Sequence, residues 1–339
     1  MSDQAKTLPR EYALCCHAEL GDTAPQIHHL ASLTFGAYPG VLRPSAAHRD
    51  WYVRRPGMDS RLSMAAVCRD QLVCNVFVTV EQVRLGGDLR PIGIVDTVMT
   101  HPAHRRRGLA RSVLSQAIRR MRERGLFASL LYTVRGSMPY HFYQQLGYRP
   151  HVQVYSSCRV QAAPASPIRG LALHRAGPED AGKLMAFLND HFSCHDGYVP
   201  LSDALWRWRK LDRPAELPAD TWFVAKWDRV LGCVTICRAP IISASGEERS
   251  HVLTDLAIGP EGDPRAILTA LLSPVPEGGP MCILLPKVNR QTNALLSLAG
   301  FREDIGEVSM VLPLDLDTGR VLTKMPRRWY VLTESVIGV

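Results

Sequence analysis

The segment from residue 96 to residue 124 constrains the fold of this chain more than any other part of its sequence. A strand-like run ends at Pro102, a turn with three consecutive arginines and one glycine follows, and a periodic helix begins at Leu109. Apolar side chains lie on one face of this helix as far as Met121, and arginines occupy the other face. Because β-branched runs lie on both sides of the segment, the sequence predicts a mixed α/β unit.

The first half of the chain has the pattern of short strands interspersed with helices. The polar turn Arg69-Asp70-Gln71 separates two apolar runs and indicates a hairpin. The predicted strands cover residues 12–19, 63–68, 72–83, 92–100, 127–132 and 152–160, and the predicted helices cover 23–35, 109–124 and 139–146. The predicted order also allows an optional second helix, without bounds, between the first helix and the hairpin.

The turn between Pro102 and Leu109 has the features of a phosphate-binding loop. The first N–H groups of a helix have no partner within the helix and lie at the positive end of its dipole. Gly108 lets the backbone approach an anion closely, and the arginines at 105–107 add positive charge. The turn is neither a G-x-G-x-x-G dinucleotide loop nor a P-loop, which needs Gly-Lys-Ser/Thr. Taken alone, a solvated arginine run before an ordinary helix is the alternative.

A second motif follows from Phe142 to Tyr148, with the pattern F-Y-x-x-L-G-Y. The turn itself has the pattern R-x-x-G-x-A, formed by Arg105, Gly108 and Ala110. In this order and spacing the two motifs resemble those of the GNAT superfamily of acyl-CoA-dependent N-acetyltransferases. The resemblance covers roughly residues 10–161 and agrees with the predicted order of strands and helices.

The resemblance implies a binding site for acetyl-CoA. The main-chain N–H groups of residues 106–110 would hold the pyrophosphate of the coenzyme. Val98 and Thr100 would pair with the pantetheine arm through their backbone, and an N–H near Val98 would polarise the thioester carbonyl. The implied cofactor-binding residues are Val98, Thr100, Arg105, Arg106, Arg107, Gly108, Leu109 and Ala110.

The catalytic residues that the resemblance implies are Tyr143 and Asp96. Tyr143 stands where the family places the acid that protonates the departing thiolate; packing of its short helix is the alternative. Asp96 lies near the family's general base, with a structural or substrate-orienting role as the alternative, and Glu81 is a second candidate base. His101 and His104 flank the turn and are expected near phosphates or solvent.

One position departs from the family pattern. Many members have an asparagine seven residues before the tyrosine, whereas this chain has Gly136 followed by Ser137. The departure bears on how the thioester is positioned and not on which coenzyme binds.

The order of predicted strands and helices in the second half repeats that of the first half. Small residues and prolines at 162–167 are typical of a linker, so we expect a GNAT domain over 1–161 and a degenerate GNAT-like domain over 168–339. Strands are predicted at 171–174, 221–226, 230–238, 251–258 and 281–285, and helices at 179–192, 265–272 and 289–298. Each domain would then be a mixed, mostly antiparallel sheet flanked by helices, in an α/β (α+β) fold.

The phosphate-binding chemistry is missing from the second copy. Glu261 and Asp263 stand where the first copy has arginines, and carboxylates would repel a pyrophosphate. Leu296 occupies the position that matches Tyr143. We expect this copy to act as a scaffold and to complete the acceptor cleft, as in the tandem acetyltransferases of the mycothiol synthase type that it resembles.

The segment at 206–210, with the sequence WRWRK, is basic and aromatic. Stacking on nucleic acid is one interpretation, and a contribution to the substrate cleft is another. We favour an amphipathic helix whose tryptophans pack inside while its cations extend to solvent.

Composition limits the remaining function classes. A net charge of +8 suits an anionic ligand. The chain has neither an apolar run of membrane-spanning length nor a secretory signal. Its nine cysteines lie mostly in apolar segments, which favours reduced thiols in a cytoplasm, and none shows zinc-site spacing.

The sequence therefore predicts a cytoplasmic enzyme that transfers acetyl from acetyl-CoA to a small-molecule amine by direct attack in a ternary complex. We expect a monomer or homodimer that uses no metal and binds neither nucleic acid nor membrane. One alternative is another reaction on the same fold: a different acyl-CoA, a hydroxyl acceptor or thioester decarboxylation. A second alternative is a non-catalytic CoA-binding regulatory module. The sequence does not identify the acceptor, because the loops that form such pockets vary.

Overall fold

The computed structural model describes residues 9–35, 45–159, 171–243, 246–275, 280–315, 321–322 and 324–332. The predicted linker at 162–167 lies outside these ranges. The first half contains β1 (Tyr12–Cys16), α1 (Ala24–Phe35), α2 (Ala46–Val53), β2 (Met64–Cys68), β3 (Gln71–Leu85), β4 (Asp88–Thr100), α3 (Leu109–Glu123), β5 (Ala128–Val134), α4 (Met138–Gln145) and β6 (Arg149–Arg159).

The second half contains β7 (Ala172–Arg175), α5 (Ala181–His191), α6 (Asp203–Trp206), β8 (Ala219–Lys226), β9 (Arg229–Ser243), β10 (Gly246–Ile258), α7 (Pro264–Leu272), β11 (Met281–Pro286), α8 (Arg290–Leu298) and β12 (Arg302–Pro313). A π-helical turn, Arg207–Leu211, continues α6. None of the described helices is long and apolar enough to cross a membrane.

The described strands form one 12-stranded sheet in the order β1-β2-β3-β4-β5-β12-β6-β11-β10-β9-β8-β7. Its described neighbours are antiparallel except for the pairs β4–β5 and β10–β11, which are parallel. Helix α3 packs its apolar face on β2, β3 and β4, and α7 packs on β8, β9 and β10. The structure confirms the predicted mixed α/β class, with a large mixed sheet flanked by helices.

The last strand of each half lies in the other half of the sheet. β12 is inserted between β5 and β6, and β6 pairs with β11. Each half therefore depends on the other to complete its backbone hydrogen bonds, and the two halves share one continuous sheet.

Reciprocal contacts relate the two halves. Nε1 of Trp51 donates to the carbonyl of Trp208 (3.2 Å), and Nε1 of Trp208 donates to the carbonyl of Trp51 (3.1 Å). Near the middle of the sheet, Oγ of Ser309 accepts from N of Val152 and donates to its carbonyl. Both pairs are separated by 157 residues along the chain. These contacts join the two halves, and the internal repeat stays a prediction.

The structure corrects one interpretation of the segment at 206–210. Its tryptophans are buried as expected, and the ring of Trp208 stacks on that of Trp51 with centroids 4.4 Å apart. The expectation that the cations extend to solvent is wrong for Arg209 and Lys210, which are buried. A buried carboxylate explains the burial of Lys210, because its ammonium group forms an ion pair with Asp255.

Candidate functional site

Strands β4 and β5 are paired over only part of their length. The parallel pairing joins Ile92–Ile94 to Ala128–Leu130, while β5 continues to Val134 alongside β12. β4 stays paired with β3 as far as Thr100. The two strands therefore separate toward their C-terminal ends, and the edge of β4 at Val98 and Thr100 is placed to hydrogen-bond an extended ligand chain.

A β-bulge in β4 lies beside this gap. Thr97 has a φ of 51°, which is rare for a β-branched residue, and the register with β3 shifts between Asn75 and Phe77. Nδ2 of Asn75 donates to the carbonyl of Thr97 (2.9 Å), and Oδ1 of Asn75 lies 2.8 Å from Nε2 of His17. Burial lowers the pKa of His17, so this support is uncharged. The bulge interrupts the ladder where the resemblance places the N–H of Val98 against the thioester carbonyl.

Helix α3 begins without a side-chain cap. Its N-cap is Gly108, with a φ of 82°, and a Cβ at this position would meet open space. The helix's first i→i−4 hydrogen bond runs from N of Ser112 to the carbonyl of Gly108 (3.0 Å). The N–H groups before Ser112 have no acceptor within the helix. Together with the positive end of the helix dipole, they fit the anion-binding loop that the sequence predicts.

The three loop arginines have different surroundings. Nη1 of Arg107 donates to the carboxylate of Glu11 (2.9 Å) and to the hydroxyl of Tyr12 (2.7 Å). Nε of Arg105 donates to the carbonyl of Thr100 (3.3 Å), and Arg106 is exposed with a φ of 63°. Arg107 therefore holds the loop against the start of β1, while Arg105 and Arg106 place positive charge at the loop surface.

The remaining residues of the loop take structural positions. Leu109 is buried in the core under α3, and Ala110 packs against the same cluster, so only their main chains are placed to meet a ligand. Nδ1 of His104 lies 3.0 Å from the hydroxyl of Tyr12, and Nδ1 of His101 accepts from N of Ala103 (3.2 Å). Both histidines are held by contacts of the loop, and their place near phosphates stays a prediction.

Tyr143 lies on α4, whose N-terminus is capped by Ser137. Its ring is buried and packs edge-on against Tyr148, as the packing interpretation requires. Burial, and to a smaller extent the negative charge of Asp96, raises the pKa of Tyr143 above its ordinary value. The phenol therefore stays protonated at neutral pH, which a proton donor needs. The influence of Asp96 also shows that the two predicted catalytic side chains lie within electrostatic range of each other.

Asp96 is held by a buried arginine. Nη2 of Arg55 donates to Oδ2 of Asp96 (2.7 Å), and Oγ1 of Thr97 donates to Oδ1 (2.7 Å). Cζ of Arg55 lies 4.0 Å from the centre of the Tyr52 ring, which fixes the guanidinium from above. Asp96 therefore presents a fixed negative charge near Tyr143, an arrangement that suits the attraction of an acceptor's ammonium group.

Sequence reasoning missed the residues that support this site. Asn75 interrupts an apolar strand, and a polar residue in such a run is a signal that could have been read. Arg55 lies in the loop after α2 and has no comparable signal. Glu81, the second candidate base, lies on β3 with its carboxylate close to Gly57. The described residues include no cluster of three or more His, Cys, Asp or Glu that could hold a metal ion.

The second half contains a matching pair of separated strands. β10 pairs with β11 only from His251–Leu253 to Met281–Ile283, and a bulge follows in which Asp255 has a φ of 53°. The C-terminal stretch at 329–331 lines the cavity between these strands. The hydroxyl of Tyr330 donates to Asp255, and Lys210 binds the other carboxylate oxygen.

Trp329 fixes the C-terminal stretch in this position. Its side chain is fully buried, and its Nε1 donates to the hydroxyl of Tyr132 (3.0 Å). The side chain of Asn289 donates to the carbonyl of Trp329 (2.8 Å) and accepts from its N–H (2.9 Å). The C-terminal stretch therefore lines the gap between β10 and β11, which is the counterpart of the gap between β4 and β5 in the first half.

The helix that follows β10 has a blocked N-terminus. Oδ1 of Asp263 accepts from N of Arg265 (3.0 Å), and Pro264 between them has no N–H. A carboxylate therefore occupies the place where a phosphate would bind in α3.

Residues 22–151 match the family model described as an acetyltransferase (GNAT) domain. The chain carries a GNAT domain. The match supports an acyltransferase enzyme and places its GNAT domain at residues 22–151. The matched range includes the β4 bulge, the arginine loop and α4, so the residues described above lie within it.

Solved structures share this fold over most of the chain. A probable N-acyltransferase from Enterococcus faecalis V583 is 16% identical, with a TM-score of 0.64, over 91% of this chain and 73% of its own. A GCN5-related N-acetyltransferase from Anabaena variabilis ATCC 29413 is 12% identical, with a TM-score of 0.67, over 91% and 74%. Saccharomyces cerevisiae N-myristoyltransferase with bound myristoyl-CoA is 11% identical, with a TM-score of 0.68, over 92% and 85%. At these identities the likeness is one of fold. No curated protein matches the sequence significantly.

Proposed function

We propose that this GNAT protein transfers an acetyl group from acetyl-CoA to a small-molecule amine. The observation that carries the proposal is the uncapped N-terminus of α3 next to the released edge of β4. These features suit the two ends of an acyl-CoA, with phosphates at the N–H groups of residues 106–110 and pantetheine along Val98 and Thr100. Val134 and Met138, exposed at the end of β5 and the start of α4, add apolar surface at the mouth of the gap.

The proposed reaction takes place with both substrates bound. The acceptor's ammonium group first releases one proton to solvent. The neutral amine nitrogen then attacks the thioester carbonyl carbon, the C–N bond forms, and the C–S bond breaks. An N–H of the bulge near Val98 stabilises the developing oxyanion. Tyr143 gives its proton to the departing thiolate. The proton lost by the nitrogen passes to Asp96, directly or through water, and from there restores the phenol.

We also propose that the two halves have different roles. The first is a GNAT domain over 1–161, and the second is a degenerate GNAT-like domain over 168–339. The Asp263 cap and the buried Trp329 support the second half as scaffold and part of the acceptor cleft. We also propose a monomer or homodimer in the cytoplasm, where its nine free thiols stay reduced.

Thiol release from a panel of acyl-CoAs, each with a panel of amines, tests the proposal. We expect acetyl-CoA with an amine to release CoA and to give an N-acetyl product of the corresponding mass. Faster release from a longer acyl-CoA, an O-acylated product or carbon dioxide release would replace the reaction with one of the alternatives on the same fold. Tight CoA binding without turnover of any acyl-CoA would contradict the enzyme and support a regulatory module.

A further inference from the structure

Helix α2 directs a row of side chains toward β4. Arg49 and Tyr52 are three residues apart on α2 and both are buried, and Arg55 follows after another three. Arg55 reaches Asp96 on β4 through its ion pair of 2.7 Å. This face of α2 therefore lies next to the proposed catalytic carboxylate.

Arg49 is buried, and its guanidinium group has no hydrogen-bond partner among the described residues. Its residue is 1% exposed, and its Nε, Nη1 and Nη2 are buried without a hydrogen-bond partner in the described part of the chain. Fully buried guanidinium groups are normally paired, because taking the charge out of water is costly. Burial lowers the pKa of Arg49 to about 10, so the group still carries its charge at neutral pH.

The neighbouring charges compensate the charge of Arg49 only in part. The carboxylate that acts on Arg49 is that of Asp96, and both of its oxygens already bind Arg55 and Thr97. Arg55 itself repels Arg49. The cluster thus holds an excess of positive charge in a buried place, which an anion from outside the chain would balance.

The ring nitrogens of His48, the residue before Arg49, also lack hydrogen-bond partners among the described residues. The residue itself is 1% exposed. Burial, with the charges of Arg49 and Arg213, lowers the pKa of His48 to about 3, so the ring is neutral. A neutral imidazole offers one further N–H donor beside the guanidinium.

We infer that Arg49 binds a carboxylate on the acyl acceptor, so that the acceptor is an amine with a nearby carboxylate, such as an α-amino acid. The inference rests on the proposed function. In this arrangement the acceptor's ammonium group faces Asp96 and its carboxylate faces Arg49, so each charge meets its opposite. Arg49 is then a specificity-determining residue for the proposed reaction.

Acceptor selectivity tests the inference. The assay uses common α-amino acids, their carboxamides and the corresponding amines without a carboxylate, each with saturating acyl-CoA. We expect the intact protein to prefer the carboxylate form of a good acceptor by roughly 100-fold in kcat/KM, the size of effect typical of a charge-assisted contact. Arg49→Met should remove this preference mainly by raising KM, and Arg49→Lys should restore part of it.

Arg54→Met is the matched control, because Arg54 follows the same helix but has a largely exposed side chain paired with Asp50. This variant should leave the preference unchanged. Arg49→Met should also bind CoA as tightly as the intact protein and unfold at an equal or higher temperature, since an unpartnered buried charge is removed.

The outcomes separate the inference from the proposed function. Equal acylation of the carboxylate and carboxamide forms by the intact protein, or an unchanged KM in Arg49→Met, would overturn the inference while the acyltransferase stands. If no amine is acylated, the proposed function fails. Calorimetric titration of the same amino acids into the CoA-bound protein then decides the inference: binding that Arg49→Met abolishes supports it, and absence of binding overturns it.

Discussion

In the first half of the molecule β4 and β5 separate after Ile94, and in the second half β10 and β11 separate after Leu253. Both gaps begin beside a bulge with a non-glycine residue in the left-handed region, Thr97 in one and Asp255 in the other. The helix after the first gap begins at an uncapped glycine, whereas the helix after the second is capped by Asp263. The shared backbone geometry is thus separable from the anion-binding chemistry, which depends on a few side chains at the helix N-terminus and in the gap.

The largest expected effect on stability comes from Trp329 in the C-terminal stretch that lines the second gap. Trp329→Ala should lower the free energy of unfolding by about 3–5 kcal/mol, because it empties a fully buried site and breaks the bond to Tyr132. Urea unfolding measures the change. Trp227→Ala is the control, since that side chain is 90% exposed and its loss should change stability by less than about 0.5 kcal/mol. Equal effects of the two variants would mean that the burial of Trp329 in the C-terminal stretch does not stabilise the fold.

The next largest effect is expected on kcat, for the phenol of Tyr143 near the first gap. Tyr143→Phe should lower kcat roughly 100-fold while CoA affinity stays constant, because the proton donor is lost and the packing is kept. Steady-state kinetics and CoA titration measure the two quantities. Tyr140→Phe, on the same helix and equally buried at 8% exposure, should retain its rate. A Tyr143→Phe enzyme with normal kcat would leave Tyr143 with its packing role alone.

The glycine at the start of α3 has a matched partner at the end of the same helix. Gly108 and Gly125 have φ values of 82° and 73°, and a Cβ at either would meet no atom within 4 Å. Either change to alanine should lower the free energy of unfolding by about 1–2 kcal/mol through left-handed strain. Only Gly108→Ala should also weaken CoA binding, roughly tenfold, because its methyl group lies at the phosphate loop. Similar CoA affinities in the two variants would argue against a phosphate site at Gly108.

The buried histidines of the second half give the smallest effect. Burial, with a contribution from Arg328, lowers the pKa of His195 to about 4, below the ordinary value near 6.5. The unfolded chain therefore binds more protons between these values, so the stability from neutral His195 is complete above pH 6.5 and is lost as pH falls toward 4. The free energy of unfolding, measured with urea between pH 7 and 4.5, should fall less steeply in His195→Asn than in the intact protein, by at most about 1.4 kcal/mol per pH unit. The exposed His29, changed to Gln, should not alter the slope.

The predictable parts of the fold are those with local, periodic patterns. The helix predicted at 109–124 is observed at Leu109–Glu123, since its apolar face and arginine face alternate without interruption. For helix α2 the sequence predicts only an optional helix without bounds, because His48 and Arg49 are buried polar residues that break the apolar period. The strand β12 is not among the predicted strands, because it begins with the charged residues Arg302 and Glu303. Its place between β5 and β6 depends on long-range pairing, which no local pattern records.

The residues of the candidate site also divide into those that a local sequence pattern predicts and those that it does not. The arginine loop and Tyr143 belong to motifs visible in the sequence, and their roles stay predictions. The support of Asp96 by Arg55 and of Thr97 by Asn75 joins residues on separate elements, which no local pattern records. The left-handed φ of Thr97 is likewise invisible, since β-branched residues ordinarily favour an extended backbone.

The stoichiometry of CoA binding tests most directly whether only the first half holds an acyl-CoA site. Isothermal titration of the intact protein should give one site per chain. Gly108→Asp, which copies the carboxylate cap of α7, should abolish binding, whereas Asp263→Gly, which removes that cap, should leave the affinity and stoichiometry unchanged. Two sites per chain, or binding lost in Asp263→Gly and retained in Gly108→Asp, would contradict the account.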